Sequence, residues 1–357
     1  MADFVFLTYR FAVKDRHAAR LRRMSRDVNQ VWNWCGGAQE HARRVNGRWP
    51  NLVSLGKGLS GLREHIALKS DIFQAVAVHW LESRDRHKRR PKWRVSFGGR
   101  RSLGWVPFQA ASRNIRVTRA GIRFDKRIFR IWQHREIPDD IRSGSFNEDA
   151  DGRWYLNLVC RVAADRACGV GEVGIDLGLK DFAALSDGSK IANPRHVRKA
   201  ASALAKAQRA GRKRLARRIH RKVAAQRRHF LHTESTRIAR TYQFVAVGDV
   251  NSAGLARTRM AKSVLDAGWS SFRQMLSYKL AMTPGSRYVE ADERYSTRTC
   301  SCCGSRAGAP RGVEGLGVRS WECEDCGTLH DRDTNAALNI LASGRNIALH
   351  ETGSRLH

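Results

Sequence analysis

The chain has 357 residues, 42% of them hydrophobic, enough to bury a core in two or three domains. Lysine and arginine number 66 against 33 acidic residues, a formal charge of +33 whose self-repulsion calls for a polyanionic partner. Nucleic acid fits best, since solubility alone needs far less charge, and no apolar run approaches the roughly 20 residues that span a bilayer. The segment Met1 to Arg10 lacks an apolar signal region or cleavage site, so the chain reads as cytoplasmic. Four of the eight cysteines form two C-x-x-C pairs, which in a reducing compartment favour metal over disulfides. Cys35, Cys160 and Cys168 are isolated and read as buried or incidental.

The chain opens on a strand, Phe4 to Arg10. A helix is expected from about Asp15 to Val45, with Leu21, Met24, Val28, Val31 and Trp32 spaced by threes and fours. The stretch GRWPNLVSLGKGLSG reads as a break before a second helix, Asp71 to Arg86. Between Lys92 and Val162 short strands alternate with turns, among them Ile115 to Thr118, Phe129 to Gln133 and Trp154 to Val162. This pattern suggests a small β-barrel that takes the first strand as a stave and is interrupted by a helical insertion.

From Gly171 onward strands are expected at Gly171 to Asp176, Asp181 to Leu185 and Ser189 to Ala192, then a long basic helical region from about Arg195 to Tyr242. A buried strand, Phe244 to Val250, a helix, Ala267 to Met282, and a strand, Tyr288 to Glu293, lead into the cysteines. A last helix spans Asp333 to Leu341. Three strands, helix, strand, helix, strand, helix is the element order of an RNase H-like α/β sheet.

Two aspartates and four cysteines stand out chemically. Asp176 ends a strand whose Val173 and Ile175 mark it as buried, and a buried charge requires compensation such as a divalent cation. Asp333 lies in the first turn of the last helix, where it could also serve as a cap or dipole partner. Cys300 and Cys303, then Cys323 and Cys326, have the spacing of a tetrahedral Zn²⁺ site, structural because no ligand position stays open. Cys302 is a surplus thiol.

GIDLGLKD, from Gly174, and DRDTNAALNIL, from Asp331, resemble the first and third RuvC motifs of the TnpB family and the related type V CRISPR effectors. AKSVLDAGWSSFRQMLSYK, TCSCCG and CEDCG are similar to TnpB as well, so the likeness covers about Gly171 to Leu341. It implies an RNA-guided DNA endonuclease, with a noncoding guide RNA and target double-stranded DNA as partners. Its RuvC-like nuclease domain would comprise 169–295 and 331–357, with a zinc-ribbon insertion at 296–330. A wedge-like barrel would comprise 1–14 and 92–168, with a helical recognition insertion at 15–91. Carry-over makes Asp176 and Asp333 Mg²⁺ ligands, with Asp331 the weaker choice in its motif.

The second motif departs from the family. Where an EDLN-like stretch is usual this chain has GDVN, and Gly248 stands in the glutamate's place. Asp249 is adjacent, but strand alternation should aim it away. The family includes members with a relocated glutamate, and Glu293, at the far end of the neighbouring strand, is the preferred substitute over Asp249 and Glu290. Three carboxylates would hold two Mg²⁺ ions about 4 Å apart, one activating water and one holding the leaving oxygen. Without the third acid a nuclease-dead, RNA-guided DNA-binding regulator remains. A small type V CRISPR effector and a DNA-structure nuclease working without RNA are the other readings.

Arg198 to Arg228 contains no acidic residue, so its charges cannot be balanced by i, i+4 pairs. Leu204, Leu215, Ile219 and Val223 form a partial apolar seam. Arg212, Arg214, Arg217, Arg218 and Arg221 are candidate phosphate contacts. Glu82 to Arg94 and Gly98 to Trp105 are further basic stretches, in which Trp93 and Trp105 could stack bases or simply be core.

Overall fold

The computed structural model describes residues 4–45, 47, 49–109, 115–255, 257–258, 260–310 and 317–353. The first three residues of the opening segment, Arg48 of the expected break and residues 311–316 of the Gly-rich loop between the cysteine pairs lie outside that set. The chain divides into two compact units, one spanning Phe4–Val162 and the other beginning its main segment at Ala163.

In the first unit β1 (Phe4–Val13) is followed by α1 (Ala18–Val45), α2 (Leu52–Leu62) and α3 (Ser70–His87). Helix α1 buries Leu21, Met24, Val28, Val31 and Cys35 along the expected seam. Helix α2 lies where a break was expected. Leu52, Leu55, Leu59 and Leu62 repeat at helical spacing, and Asn51 and Ser54 form a reciprocal cap, each side chain accepting the other's backbone N–H at 2.9 Å. One of its glycines serves packing: a Cβ on Gly58 would sit 2.4 Å from the Trp34 ring.

The strands β2 (Trp105–Gln109), β3 (Ile115–Thr118), β4 (Gly121–Phe124), β5 (Arg127–Phe129), β6 (Ile131–Trp132), β7 (Ile141–Glu148) and β8 (Trp154–Ala163) complete this part of the chain. They form a five-stranded sheet ordered β2-β7-β8-β1-β6 and a three-stranded sheet β3-β4-β5. The strand expected over Phe129 to Gln133 is thus divided between the two sheets. Phe108 and Phe146 of the larger sheet meet Phe124 and Phe129 of the smaller, with ring centroids 5.0 to 5.4 Å apart across the two sheets. Such tilted aromatic contacts supply both burial and geometry.

The second unit contains β9 (Glu172–Leu177), β10 (Asp181–Leu185), β11 (Lys190–Ala192), α4 (His196–Arg209), α5 (Lys213–Thr241) and β12 (Phe244–Gly248). Then come α6 (Ser252–Leu255), α7 (Ala261–Ala267), α8 (Trp269–Ala281), β13 (Arg287–Ala291), β14 (Ser320–Glu322), β15 (Leu329–Asp331) and α9 (Arg332–Gly353). The long basic region is therefore two helices, broken at Gly211, whose φ of 63° favours glycine. The last helix runs well past the expected Leu341.

The main sheet is ordered β11-β10-β9-β12-β13. Strand β10 is antiparallel to β9 and β11, whereas β12 runs parallel to β9 and β13. Alternation then sorts the side chains. Val173, Ile175, Val245 and Val247 join Leu231, Ile238, Phe272 and Leu276 from α5 and α8 on one face. Phe244, Ala246, Val289 and Ala291 meet Ile340 and Leu341 of α9 on the other. Helix α9 crosses so closely that a Cβ on Gly174 would lie 2.0 Å from the Ala337 carbonyl oxygen. Glycine at that position is what allows the helix to pack against the sheet.

Candidate functional site

Several of the residues singled out from the sequence lie toward the face of the sheet under α9. Asp176 lies two residues beyond Gly174, so it shares that face, and it follows Ile175, the last residue of β9 registered with β12. Gly248 ends β12 at the same level, opposite Ala291 of β13. A Cβ on Gly248 would lie 3.1 Å from Ile340 Cδ1, 3.2 Å from Glu293 Oε2 and 3.4 Å from Glu293 Cβ. Glu293 itself sits two residues past the end of β13, so its carboxylate reaches back over Gly248 from a turn rather than from a strand.

The two other acids considered for the missing glutamate are placed differently. Glu290 faces the α8 side of the sheet, where it pairs with Arg273 at 3.1 Å and accepts the Tyr288 hydroxyl at 2.8 Å. Asp249 does not point away as strand alternation suggested. Strand β12 ends at Gly248, so the pleat no longer governs the next residue. Its Oδ1 accepts the backbone N–H of Glu293 at 3.3 Å.

Asp333 occupies the first turn of α9 and lies 3.6 Å from Arg319. Asp331 is engaged elsewhere: it accepts the Thr334 N–H and hydroxyl at 2.9 and 3.0 Å and pairs with Lys190 at 2.8 Å. Burial, reinforced by the negative charges of Asp333 and Glu293 and only partly offset by Arg332, pushes the Asp176 carboxyl up to about 7. Glu293 is raised by burial and by Asp249, with Arg273 opposing. Crowded carboxylates that resist ionisation are the electrostatic condition a bound cation relieves. The oxygens of Asp176, Glu293 and Asp333 do not all come within 4.8 Å of one another, a spacing reached among the described residues by the cysteine cluster.

Cys300, Cys303, Cys323 and Cys326 bring their sulfurs within 4.8 Å of one another, a set that could hold a metal, and Cys302 stays outside it. Both pairs use the same turn. Gly304 N donates to Cys300 O at 2.9 Å and Gly327 N to Cys323 O at 2.8 Å, each glycine at positive φ. The Thr328 hydroxyl and backbone amide hold the Cys326 thiol down at about 6. His330, in β15, was not singled out from the sequence, although Cys326 and His330 have a C-x-x-x-H spacing typical of metal sites. Its Nε2 lies 3.0 Å from Cys300 Sγ, and its ring packs on Trp321 at 4.7 Å.

Arg212, at the N-cap of α5, and Arg214, Arg217, Arg218 and Arg221 along it are all exposed. Val223 is buried, while Leu204, Leu215 and Ile219 are half-buried, so the seam is partial. In the first unit Trp93 is 65% exposed, free to stack, whereas Trp105 is half-buried against Trp32 and His79.

Comparison with known proteins places the chain in a family. Residues 162–259 match the family described as a probable transposase, and residues 269–340 match the Cas12f1-like TNB domain. A Streptomyces pristinaespiralis protein provisionally named an RNA-guided DNA endonuclease is 32% identical, covering 94% of this chain and 88% of its own. Escherichia coli InsQ, provisionally named likewise, is 26% identical over 60% of each chain. A solved Cas12f1 chain, from a complex with sgRNA and target DNA, superposes with a TM-score of 0.58 at 14% identity. That match covers 92% of this chain and 83% of the Cas12f1 chain. The architecture is thus a TnpB/Cas12-like fold. The chain belongs to the TnpB family.

Proposed function

We propose that this protein is an RNA-guided DNA endonuclease that cuts target DNA beside a short flanking motif at the carboxylates of Asp176, Glu293 and Asp333. The observation that carries the reading is the Glu293 carboxylate lying over Gly248 Cα, on the face shared by Asp176 and the first turn of α9. The strand order, with β12 parallel to both β9 and β13, supports a RuvC-like domain made of 169–295 and 331–357. Residues 296–330 then form its zinc ribbon. The unit Phe4–Val162 supplies the wedge, and α1 to α3 supply the recognition insertion.

The donor sets fit the metals. Around a Zn²⁺ with bonds of about 2.3 Å, tetrahedral sulfurs stand about 3.8 Å apart. Cys300 to Cys326 and Cys303 to Cys323 are each 3.6 Å. Carboxylate oxygens suit Mg²⁺, and the raised Asp176 marks a site short of positive charge. When bound, Mg²⁺ activates a water and neutralises charge on the scissile phosphate. Asp176 and Glu293 hold the sheet side of the site, and Asp333 the helix side. The exposed arginines of α5, Arg212 to Arg221, bind the phosphates of the guide RNA or of the DNA, while base pairing reads the target.

A second reading is a regulator that binds guide and DNA without cutting. It is favoured by the Arg319–Asp333 pair at 3.6 Å and by the three carboxylates not closing to 4.8 Å. One experiment separates the two. The protein is purified with its copurifying RNA, which is sequenced, and is given a plasmid library with randomised flanks in Mg²⁺. Linear product that disappears in Asp176→Ala supports the nuclease. Retained but uncut plasmid supports the regulator.

A further inference from the structure

We infer that Asn335 and Asn339 are positioning residues that lock the Glu293-bearing turn onto the helix carrying Asp333. The inference rests on the nuclease reading above and concerns how this chain holds a carboxylate that no strand supports. Strand pairing ends at Ala291, and Asp249 N donates to Ala291 O at 3.0 Å as the last rung. Beyond it the backbone turns: Ser296 N donates to Glu293 O at 3.1 Å, Thr299 N donates to Tyr295 O at 3.0 Å, and Tyr295 adopts a φ of 65°. A turn of this kind leaves carbonyls without ladder partners, and buried carbonyls need donors.

Helix α9 supplies them. Asn335 Nδ2 donates to Ser296 O at 3.2 Å and to Thr299 O at 2.8 Å. Asn339, one helical turn on, donates to the same two carbonyls at 2.8 and 2.6 Å. The Asn335 oxygen accepts the Ser301 N–H at 2.9 Å, so the amide of this residue, 1% exposed, is engaged on every side. Asparagines at i and i+4 lie on one face of a helix, which is why both reach one short segment. The clamp sits between Asp333, two residues before Asn335, and Glu293, three residues before Ser296. It therefore sets the distance between the two carboxylates.

A role in folding the zinc ribbon alone would use the same bonds, since Ser301 follows Cys300. The test separates the two roles through metal content and metal affinity, measured apart from cutting. Full-length protein freed of nucleic acid is titrated with Mn²⁺ and followed by electron paramagnetic resonance, and zinc is counted by atomic emission. Asn339→Ala should weaken the Asp176-dependent Mn²⁺ site at least tenfold and keep one zinc per chain. Asn335→Asp, which retains the acceptor for Ser301 but loses the donors, should do the same. Glu293→Ala should also weaken Mn²⁺, and adding Asn339→Ala to it should change nothing further. Unchanged Mn²⁺ affinity in Asn339→Ala, additive effects with Glu293→Ala, or loss of zinc together with Mn²⁺ overturns the clamp while leaving the nuclease reading intact. A wild-type protein with no Asp176-dependent Mn²⁺ site removes the nuclease reading and this inference with it.

Discussion

Glu293 fills the space that a side chain at Gly248 would need, its Oε2 standing 3.2 Å from where a Cβ would be. The hollow left by the missing side chain at 248 is thus lined by the side chain of Glu293. A side chain at 248 and that of Glu293 would compete for one hollow, and admitting both requires the neighbours to give by a few tenths of an ångström.

Substitutions should reveal that competition. Glu293→Ala should lower single-turnover plasmid cutting by about 100-fold, at least the upper end of the roughly 10- to 100-fold loss seen when a group that merely supports a metal ligand is removed. Gly248→Glu alone should also impair cutting, since Ile340 Cδ1 at 3.1 Å and Glu293 Oε2 at 3.2 Å from the new Cβ must shift to admit it, which displaces the Glu293 carboxylate. The double variant Gly248→Glu/Glu293→Ala should cut at least tenfold faster than Glu293→Ala. Cutting by Glu293→Ala at the wild-type rate would show that this acid does not serve the reaction.

The raised Asp176 carboxyl predicts a pH signature in the metal-free protein. Its folded value of about 7 lies above the ordinary aspartate value of 3.8. Between those values the folded chain holds a proton that the unfolded chain has released, so stability falls as pH rises from about 4 to about 7 and is flat above. Asp176→Asn removes the titrating group. Melting temperatures should therefore show the variant gaining on wild type more at pH 7.5 than at pH 5. Added Mg²⁺ should shrink the difference by stabilising ionised wild type. An equal gap at both pH values would mean that Asp176 is not held out of its usual range.

The features written locally in the chain were legible, and those that depend on where the chain returns were not. Strand β12 is apolar throughout because both its faces are covered, and such a run announces itself. The cysteine pairs, each followed by glycine, carry their turn with them. Helix α2 was hidden because three glycines outweighed the leucine spacing and the Asn51–Ser54 cap, both of which were present to be read. Asp249 was misplaced for a different reason: alternation assumes that the strand continues, and β12 stops one residue earlier. Nothing local signals that Asn335 and Asn339 face Ser296 and Thr299, because that contact exists only once α9 has packed beside the turn.

The cysteine cluster should account for one zinc per chain. Cys323→Ser removes a fully buried ligand and should abolish zinc binding, whereas Cys302→Ser, exposed and outside the cluster, should retain it. Zinc-finger peptides hold their metal by roughly 10 to 16 kcal/mol, so losing it should unfold the ribbon. Limited proteolysis should then cleave within residues 296–330 in Cys323→Ser and spare Cys302→Ser. Because Asp333 begins the helix that follows β15, cutting should fail in Cys323→Ser as well. Full zinc content in Cys323→Ser would assign the site to other ligands.

The arginines of α5 make a prediction about salt rather than about a single affinity. Arg214, Arg217, Arg218 and Arg221 are exposed on one helix, in a stretch that contains no acidic residue. Each phosphate neutralised releases counterions and steepens the dependence of log Kd on log salt by about 0.7 to 0.9. Replacing all four by glutamine should therefore reduce that slope by about 3 for the copurifying RNA or for duplex DNA, whichever this helix grips. Titrations between 50 and 300 mM salt by fluorescence anisotropy, on each nucleic acid separately, identify the partner by which slope falls (the salt range is about that over which such slopes are linear). Two unchanged slopes would remove α5 from the nucleic-acid surface, leaving the charge of the chain to act through other helices.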